Sequence, residues 1–417
     1  MIASLVACAL IVAAGWPLAS LLDPTSPAAR RLGESWLLGA GVAAGLLMIV
    51  PWSRMFVIGA LLLVALLGAI AARKALIARA NLRIEAAMPI DLITLVMVAG
   101  YARFATIAPP AEIDFIGIWG LKAREFWIAR GIDWRFLENP FNTFAHPDYP
   151  VLVPLLFDVH AVIAGAWPER WLGVVNVGFG VATLLILRAA LSEEIATDWL
   201  RRTATLALAP LALSPWIGLA ECAMVGYGTA AALRLRSAVR HSSVRDALHG
   251  AIYLGLAANS KNEGLTFIVA AAVALLVTSP RLVVHLWPAA AIASPWIALR
   301  FVHHLQSDYL SGYQLRDFFT TLTTLAHNPV GKPLFWIGAI VALLAGARSL
   351  GRERFLVVTI GAQLLFFVAA YLVTPHDVAW HVRWSWERIT AQITPLIGFL
   401  ALVAIAPLRQ RPLAAAG

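Results

Sequence analysis

Long apolar runs recur from one end of this 417-residue chain to the other, and they decide what it can fold into. A membrane helix needs about 20 consecutive, mainly apolar residues. In lipid the backbone finds no water to bond, so only helices and closed barrels cross. The runs here are continuous and not alternating, which selects helices. Composition agrees: 60% of residues are hydrophobic and 13% are charged, whereas a soluble domain carries roughly 25% charged. No water-soluble fold of this length buries so much apolar surface. The sequence therefore predicts an all-α polytopic membrane protein. Thirteen spans are expected, at about 2–22, 36–52, 55–72, 89–107, 171–190, 203–219, 222–238, 247–259, 264–279, 282–300, 333–347, 354–373 and 391–407.

Charge sets the orientation. Loops and span ends at 23–35, 73–91, 188–202, 234–246, 281, 348–354 and 409–411 hold 19 of the 32 basic residues and nine acids, net +10. The remaining positions hold 13 basic and 14 acidic residues, net −1. Short basic loops stay in the cytoplasm, so the first set is expected inside, with the N-terminus outside and the C-terminus inside. The net charge of +9 is then a topology signal. It is no argument for nucleic acid, because no basic stripe with interleaved aromatics exists. Cys8 and Cys222 both sit in apolar runs, so no disulfide framework is expected. The run Leu5 to Cys8 looks like a lipoprotein cleavage box. It lacks the basic and apolar segments that should precede one, so neither it nor a cleaved signal peptide is expected. The organisation expected is accessory spans in 1–88, a membrane domain in 89–408 and a cytoplasmic tail at 409–417.

This topology places three stretches outside, at about 108–170, 300–332 and 374–390, plus short turns at Glu221 and at Lys261 to Glu263. The first opens with Pro109, Pro110, Glu112 and Asp114, just past a span. Ile116, Trp119, Ala123, Phe126 and Trp127 then share one helical face, with Lys122 and Glu125 on another. That pattern suits a helix lying in the interface. His146, Pro147, Asp148, Tyr149 and Pro150 follow, then a short helix to about Ala166 holding Asp158 and His160, read as interfacial or re-entrant.

Each polar residue has a plain structural reading beside the functional one. Acids such as Glu112 and Asp114 suit the start of a helix. The two prolines around Asp148 suit a rigid turn. Lys122 and Arg124 suit headgroup anchors, and Trp380, Trp384 and Trp386 suit an aromatic belt. Glu221 is harder to explain so, because a carboxylate at the membrane costs a few kcal/mol unless paired or exposed. Lys261 and Glu263 lie in a turn on the same side. Ionisable groups gathered at one membrane face point to a site. His376 and His381 are five residues apart with no His-Glu-x-x-His motif, so a zinc protease is not expected. No phosphate loop, dinucleotide glycine motif or nucleophile elbow is present.

Asp114, Trp119, Lys122 and Ala123, followed by His146 to Pro154, resemble the first external loop of GT-C-type membrane glycosyltransferases. Among these are the protein mannosyltransferases and the aminoarabinose transferases of lipid A. Glu221 opening a span, the turn Asn259 to Gly264 and the segment Tyr371 to Arg388 are similar to bacterial members. The resemblance covers about 100–390. Three spans precede the catalytic loop where the simplest members have none, and Glu221 stands where Asp is commoner. The resemblance implies a polyprenyl-phosphate sugar donor, an acceptor hydroxyl, and a periplasmic site in a bacterial inner membrane. It implies Asp114 as the base of an inverting transfer, with Glu112 the fallback. It implies substrate contacts from Lys122, His146, Asp148, Tyr149, Glu221, Lys261, Glu263, Arg316, His376, His381 and Arg388. A divalent cation, Mg or Mn, would fall to Glu112 and Glu221.

The chemistry is coherent without the resemblance. A sugar phosphate ester has a good leaving group, so one carboxylate to take the acceptor proton suffices. Cations must steady the phosphate as charge builds on it. The competing classes are a transporter, a silent scaffold, and an O-antigen-ligase-like enzyme with a pyrophosphate-linked donor. A transporter would carry charges at mid-membrane on broken helices, whereas here they gather at one face. The topology has a direct test. Single cysteines at 142 and 246, in a chain lacking Cys8 and Cys222, are treated with an impermeant thiol reagent in intact spheroplasts. Label is expected at 142 and not at 246; the opposite pattern would turn the protein over and remove the site from the outside.

Overall fold

The computed structural model describes residues 1–77, 88–306, 314–328 and 333–410, with side chains omitted at 74–77 and 407–410. Of the residues that set the orientation, Arg79, Arg83, Glu85 and Arg411 lie outside the described residues, as does most of the tail at 409–417. The described residues form helices and no strand. In chain order these are α1 (Ile2–Leu22), α2 (Ala28–Leu47), α3 (Arg54–Ile77), α4 (Pro89–Ile107), α5 (Gly120–Ala129), α6 (Trp134–Glu138), α7 (Leu152–Ala164), α8 (Val174–Glu194) and α9 (Asp198–Ala212). Then come α10 (Glu221–His241), α11 (Val244–Ala258), α12 (Glu263–Thr278), α13 (Trp287–Val302), α14 (Phe318–His327), α15 (Pro333–Ala345), α16 (Arg354–Leu372), α17 (Val378–Ala391) and α18 (Thr394–Gln410).

Among the described residues, six segments are long and apolar enough to cross a membrane: Ile2–Leu22, Arg54–Arg73, Pro89–Ile107, Glu169–Glu194, Pro280–Val302 and Ala347–Leu372. A seventh is the pair α17 and α18, bent by 50° at its break. The other expected spans are shorter or more polar. Helices α9 and α11 have 15 residues each, which is about 22 Å of rise against a hydrocarbon core of about 30 Å. Helix α9 stops at Ala212, and the chain from there to Ala220 is irregular. Helix α10 is long enough but carries Arg234, Arg236 and Arg240 in its last turns.

Local chemistry sets the helix starts. Pro89 occupies the first turn of α4, where its missing N–H costs nothing. Ser243 accepts from the Asp246 amide to cap α11 at 3.2 Å, and Asp377 accepts from the Trp380 amide to cap α17 at 2.8 Å. Helices α1 and α2 cross at Gly15 and Gly39, where a Cβ on either residue would meet a backbone oxygen at 1.9 Å. This pair packs on α3, α7 and α8, so the N-terminal helices are joined to the rest of the bundle.

Two sequence expectations change here. The stretch after Asp114 opens with a π-helical turn, Phe115–Trp119, before α5. The wider turn rotates Ile116 outward while Trp119, Ala123 and Phe126 stay buried. Lys122 lies three residues after Trp119 and four before Phe126, so it shares their face and is fully buried, not a headgroup anchor. Helix α7, expected at the interface, is buried almost throughout against α1, α2, α3 and α5. Asp158 and His160 go with it, and their polar side-chain atoms find no hydrogen-bond partner among the described residues.

Helix α10 lies at the centre, packed on α8, α11, α12, α16 and α18. Its arginine end gathers five acids from the surrounding segments. Arg234 meets Glu34 at 2.6 Å, Asp23 at 2.8 Å and Asp246 at 3.1 Å. Arg236 meets Glu353 at 2.6 Å and Glu194 at 2.7 Å, and Arg240 pairs with the same two acids. Every acid in these pairs comes from the basic-loop set. Arg234→Met is expected to leave three carboxylates facing one another and to destabilise the fold by about 3–5 kcal/mol. Thermal unfolding in detergent micelles reads this, with the partly exposed edge variant Asp246→Asn expected to cost clearly less.

Candidate active site

The other end of α10 begins at Glu221, about 22 Å along the helix from Arg236 and 1% exposed. The approach to it is pinned. Asn176 of α8 donates to the Trp216 carbonyl and accepts from the Gly218 amide, both at 3.0 Å. The Tyr101 hydroxyl donates to the Ser214 carbonyl at 2.8 Å. Gly218 has a φ of +88°, and a Cβ there would strike the Phe115 ring at 2.5 Å. That missing side chain lets Phe115, and with it Asp114, sit against the start of α10.

Asp114, Arg388, Glu221, Lys261 and Glu263 form one chain of alternating charge. The Arg388 guanidinium of α17 donates to the Asp114 carboxylate, across 274 residues of sequence. It also lies 3.9 Å from the Glu221 carboxylate. Lys261, in the turn between α11 and α12, donates to Glu221 at 3.1 Å and pairs with Glu263 at 2.9 Å. Burial alone would lower the Lys261 pKa, but the carboxylates of Glu221 and Glu263 outweigh it and hold the ammonium charged, above its usual range. The second Glu221 oxygen is buried without a hydrogen-bond partner among the described residues.

A second group adjoins the first. Asp148 accepts from Asn262 at 2.9 Å and faces Arg300 of α13 at 3.4 Å, and its carbonyl accepts from the Trp296 indole at 3.1 Å. His146, with a φ of +47°, stacks on Tyr149 with ring centres 4.7 Å apart. Lys122 lies 5.6 Å from the centres of both the Trp119 and Tyr149 rings and donates to the His146 carbonyl. Burial pushes its pKa down to about 7, with Asp148 opposing the shift.

Between these groups and α16 lies a cavity of about 350 Å³. Asp148, Asn262, Glu263, Arg300, Thr374 and His381 give it a polar rim, and Phe366, Phe367 and Ala370 of α16 give it an apolar wall. His381 is anchored to the Thr374 hydroxyl at 2.8 Å. The remaining sequence candidates sit differently. Glu112 is exposed, its carbonyl accepting from the Ile116 amide. The Arg316 guanidinium is directed to the carbonyls of Thr374, Pro375 and His376 at 2.8–3.0 Å, so it clamps that loop. The His376 ring is tilted against Trp380 and meets His381 edge-on, with ring centres 5.2 and 5.6 Å apart. Among the described residues no group of three or more His, Cys, Asp or Glu side chains is placed to hold a metal ion.

Sequence reasoning missed Arg300 and gave Asn262 no role. Arg300 stood at the end of an expected span, where a cation reads as a topological flank. Its only signal was that it lies on the side poor in basic residues. Compared with models of known families, with curated proteins and with solved structures, the chain gives no match.

Lys122 generates a pH prediction. Its pKa is about 7 in the fold and about 10.4 in an unfolded chain. Below pH 7 both states hold the proton and the fold carries the full cost of a buried charge. As pH rises from about 7 to about 10 the folded state loses the proton first, so stability should rise, by a few kcal/mol at most. In the Lys122→Met variant that rise should vanish. Parallel stability curves for the two proteins over pH 7–10 would mean that Lys122 is not perturbed.

Proposed function

We propose that the protein is a membrane glycosyltransferase that moves a sugar from a polyprenyl phosphate to an acceptor hydroxyl. One observation carries this reading: an acid just past a span meets a cation from the next-to-last helix, and Glu221 and Lys261 link that pair to Glu263, which lines a cavity with a polar rim and an apolar wall. Both residues belong to the segments that resemble GT-C enzymes. The charges sit at one end of α10 and not midway, which favours an enzyme over a transporter.

In this reading the donor lipid lies along the α16 wall with its phosphate toward Arg388 and Lys261. Asp114 takes the proton of the acceptor hydroxyl, whose oxygen attacks the anomeric carbon. The bond from that carbon to the phosphate oxygen breaks, and polyprenyl phosphate leaves with the electron pair. Configuration inverts. No general acid is needed, because the leaving phosphate is already stable as an anion. Arg388 has a double task. While paired with Asp114 it competes with the acceptor proton; an arriving phosphate draws it away and frees the base. Two cations within 4 Å of Glu221 occupy the place a divalent ion would take, and Glu112 is at the surface. The pair Glu112 and Glu221 therefore fits a metal poorly, and no step is assigned to one. Arg316 fits a positioning role better than a phosphate contact.

The same reading places the chain in a bacterial inner membrane with this face in the periplasm. Helices α2, α9, α10, α11, α12 and α15 then complete thirteen crossings, the short ones with local thinning of the bilayer.

Asp114→Asn keeps the shape and removes the basicity. Turnover of a polyprenyl-phosphate sugar should fall at least about 10²-fold, with thermal stability near that of the parent protein. Wild-type transfer by purified Asp114→Asn would remove Asp114 from the mechanism; a dead Glu112→Gln in the same assay would move the base two residues. Donor affinity separates the phosphate clamp from the base. It should drop in Lys261→Met and Arg388→Met, with Lys261→Arg retaining most of it. Equal affinity in all three variants would remove the clamp.

A further inference from the structure

The face opposite the candidate site carries a second built pocket, where α10 ends and α16 begins. We propose that it holds the phosphate headgroup of an anionic phospholipid. Two adjoining cavities of about 170 and 60 Å³ share Arg240, Arg352 and Glu353. Arg236 and Arg354 line the larger and Glu194 the smaller. Four guanidiniums thus face two carboxylates. Glu353 is 2% exposed and, with Glu194, fixes Arg236 and Arg240 in place. Arg352 and Arg354 are exposed, and neither has a carboxylate partner among the described residues. The positive excess is therefore both unneutralised and held on a rigid base.

Beside Thr278 and Ser349, the rest of the lining is largely apolar. Val239, Val277 and Phe355 line one side, and Val403 and Ala406 line the smaller cavity. A free phosphate has no use for that surface, while a phospholipid brings a glycerol and acyl chains to cover it. Helix α16 also starts here without a side-chain cap, so its first amides add to the positive field. Helix ends set the depth: a pocket where a membrane-crossing helix begins lies at the level of lipid headgroups. Guanidiniums pair with phosphate oxygens in a bidentate fork, which suits a phosphodiester without a cation of its own better than a zwitterionic headgroup whose ammonium already offsets the phosphate.

The test uses the full chain, purified in detergent and titrated with phosphatidylglycerol or phosphatidylcholine under native mass spectrometry. Wild type should retain phosphatidylglycerol in preference to phosphatidylcholine. Arg352→Gln with Arg354→Gln should lower phosphatidylglycerol retention about tenfold and leave the melting temperature unchanged. A control, Arg73→Gln with Arg281→Gln, removes the same charge from exposed positions elsewhere and should retain the lipid. Equal loss in the control would mean diffuse attraction to the leaflet and would overturn the site. Millimolar inorganic phosphate should not displace the lipid from wild type. If phosphate alone raises the melting temperature of wild type and not of the arginine variant, while the lipid does neither, the pocket takes a free anion and the lipid proposal fails.

Discussion

A charge removed from water must find an opposite charge within a few ångströms, or the segment that carries it cannot stay buried. Helix α10 obeys this at both ends. Its first residue is a carboxylate and its last turns carry three arginines, yet it is buried along most of its length. The surrounding helices are arranged to answer it. Asp23, Glu34, Glu194, Asp246 and Glu353 come to the arginine end, and Lys261 and Arg388 come to Glu221. None of the ion pairs described above joins one end to the other. Two charged layers separated by an apolar middle are what a bilayer allows.

The two layers differ in how they are finished. At the arginine end of α10 each central cation has at least two acids, so that end acts as a fastening. At the Glu221 end the arrangement is incomplete. One Glu221 oxygen and one Asp148 oxygen are buried without hydrogen-bond partners among the described residues, and an amphipathic cavity opens beside them. A structural network tends to satisfy its members. One Glu34 oxygen at the arginine end is likewise buried without a hydrogen-bond partner among the described residues, so the cavity beside Asp148 is what sets the Glu221 end apart.

Much of this was readable from residues alone, and the gaps have physical causes. The helical class followed from the continuous apolar runs, and the division of charges into two faces followed from the loops. Glu221 stood out because an acid between two apolar runs has few structural excuses, and the structure gives it two cations. The anchor reading of Lys122 fails against its burial, because hydropathy treats a lysine as a surface residue. Its burial is answered by the carbonyl of His146 and the Tyr149 ring, from a loop 24 or more residues away, and by the ring of nearby Trp119. Arg316 looked like a ligand contact because it was a cation on the acid-rich side. Its carbonyl partners at 374–376 depend on a fold that spacing does not report. Span number is the feature that periodicity fixes least. Periodicity marks where a helix is, but breaks such as 213–220 decide how long it runs, and those breaks rest on contacts such as Asn176 with Gly218.

The pairing of Asp114 with Arg388 has a consequence for how the protein is made. The two residues are separated by 274 positions. At about 5–20 residues per second, the ribosome takes roughly 14–55 s to travel between them. Throughout that interval Asp114 is already made without its guanidinium, and Glu221 joins it for the last 167 positions. Lys261 arrives earlier and can steady Glu221, but nothing steadies Asp114 until α17 inserts. The Asp114–Arg388 pair is therefore completed late in synthesis, and until then water or a lipid headgroup must screen the bare carboxylate.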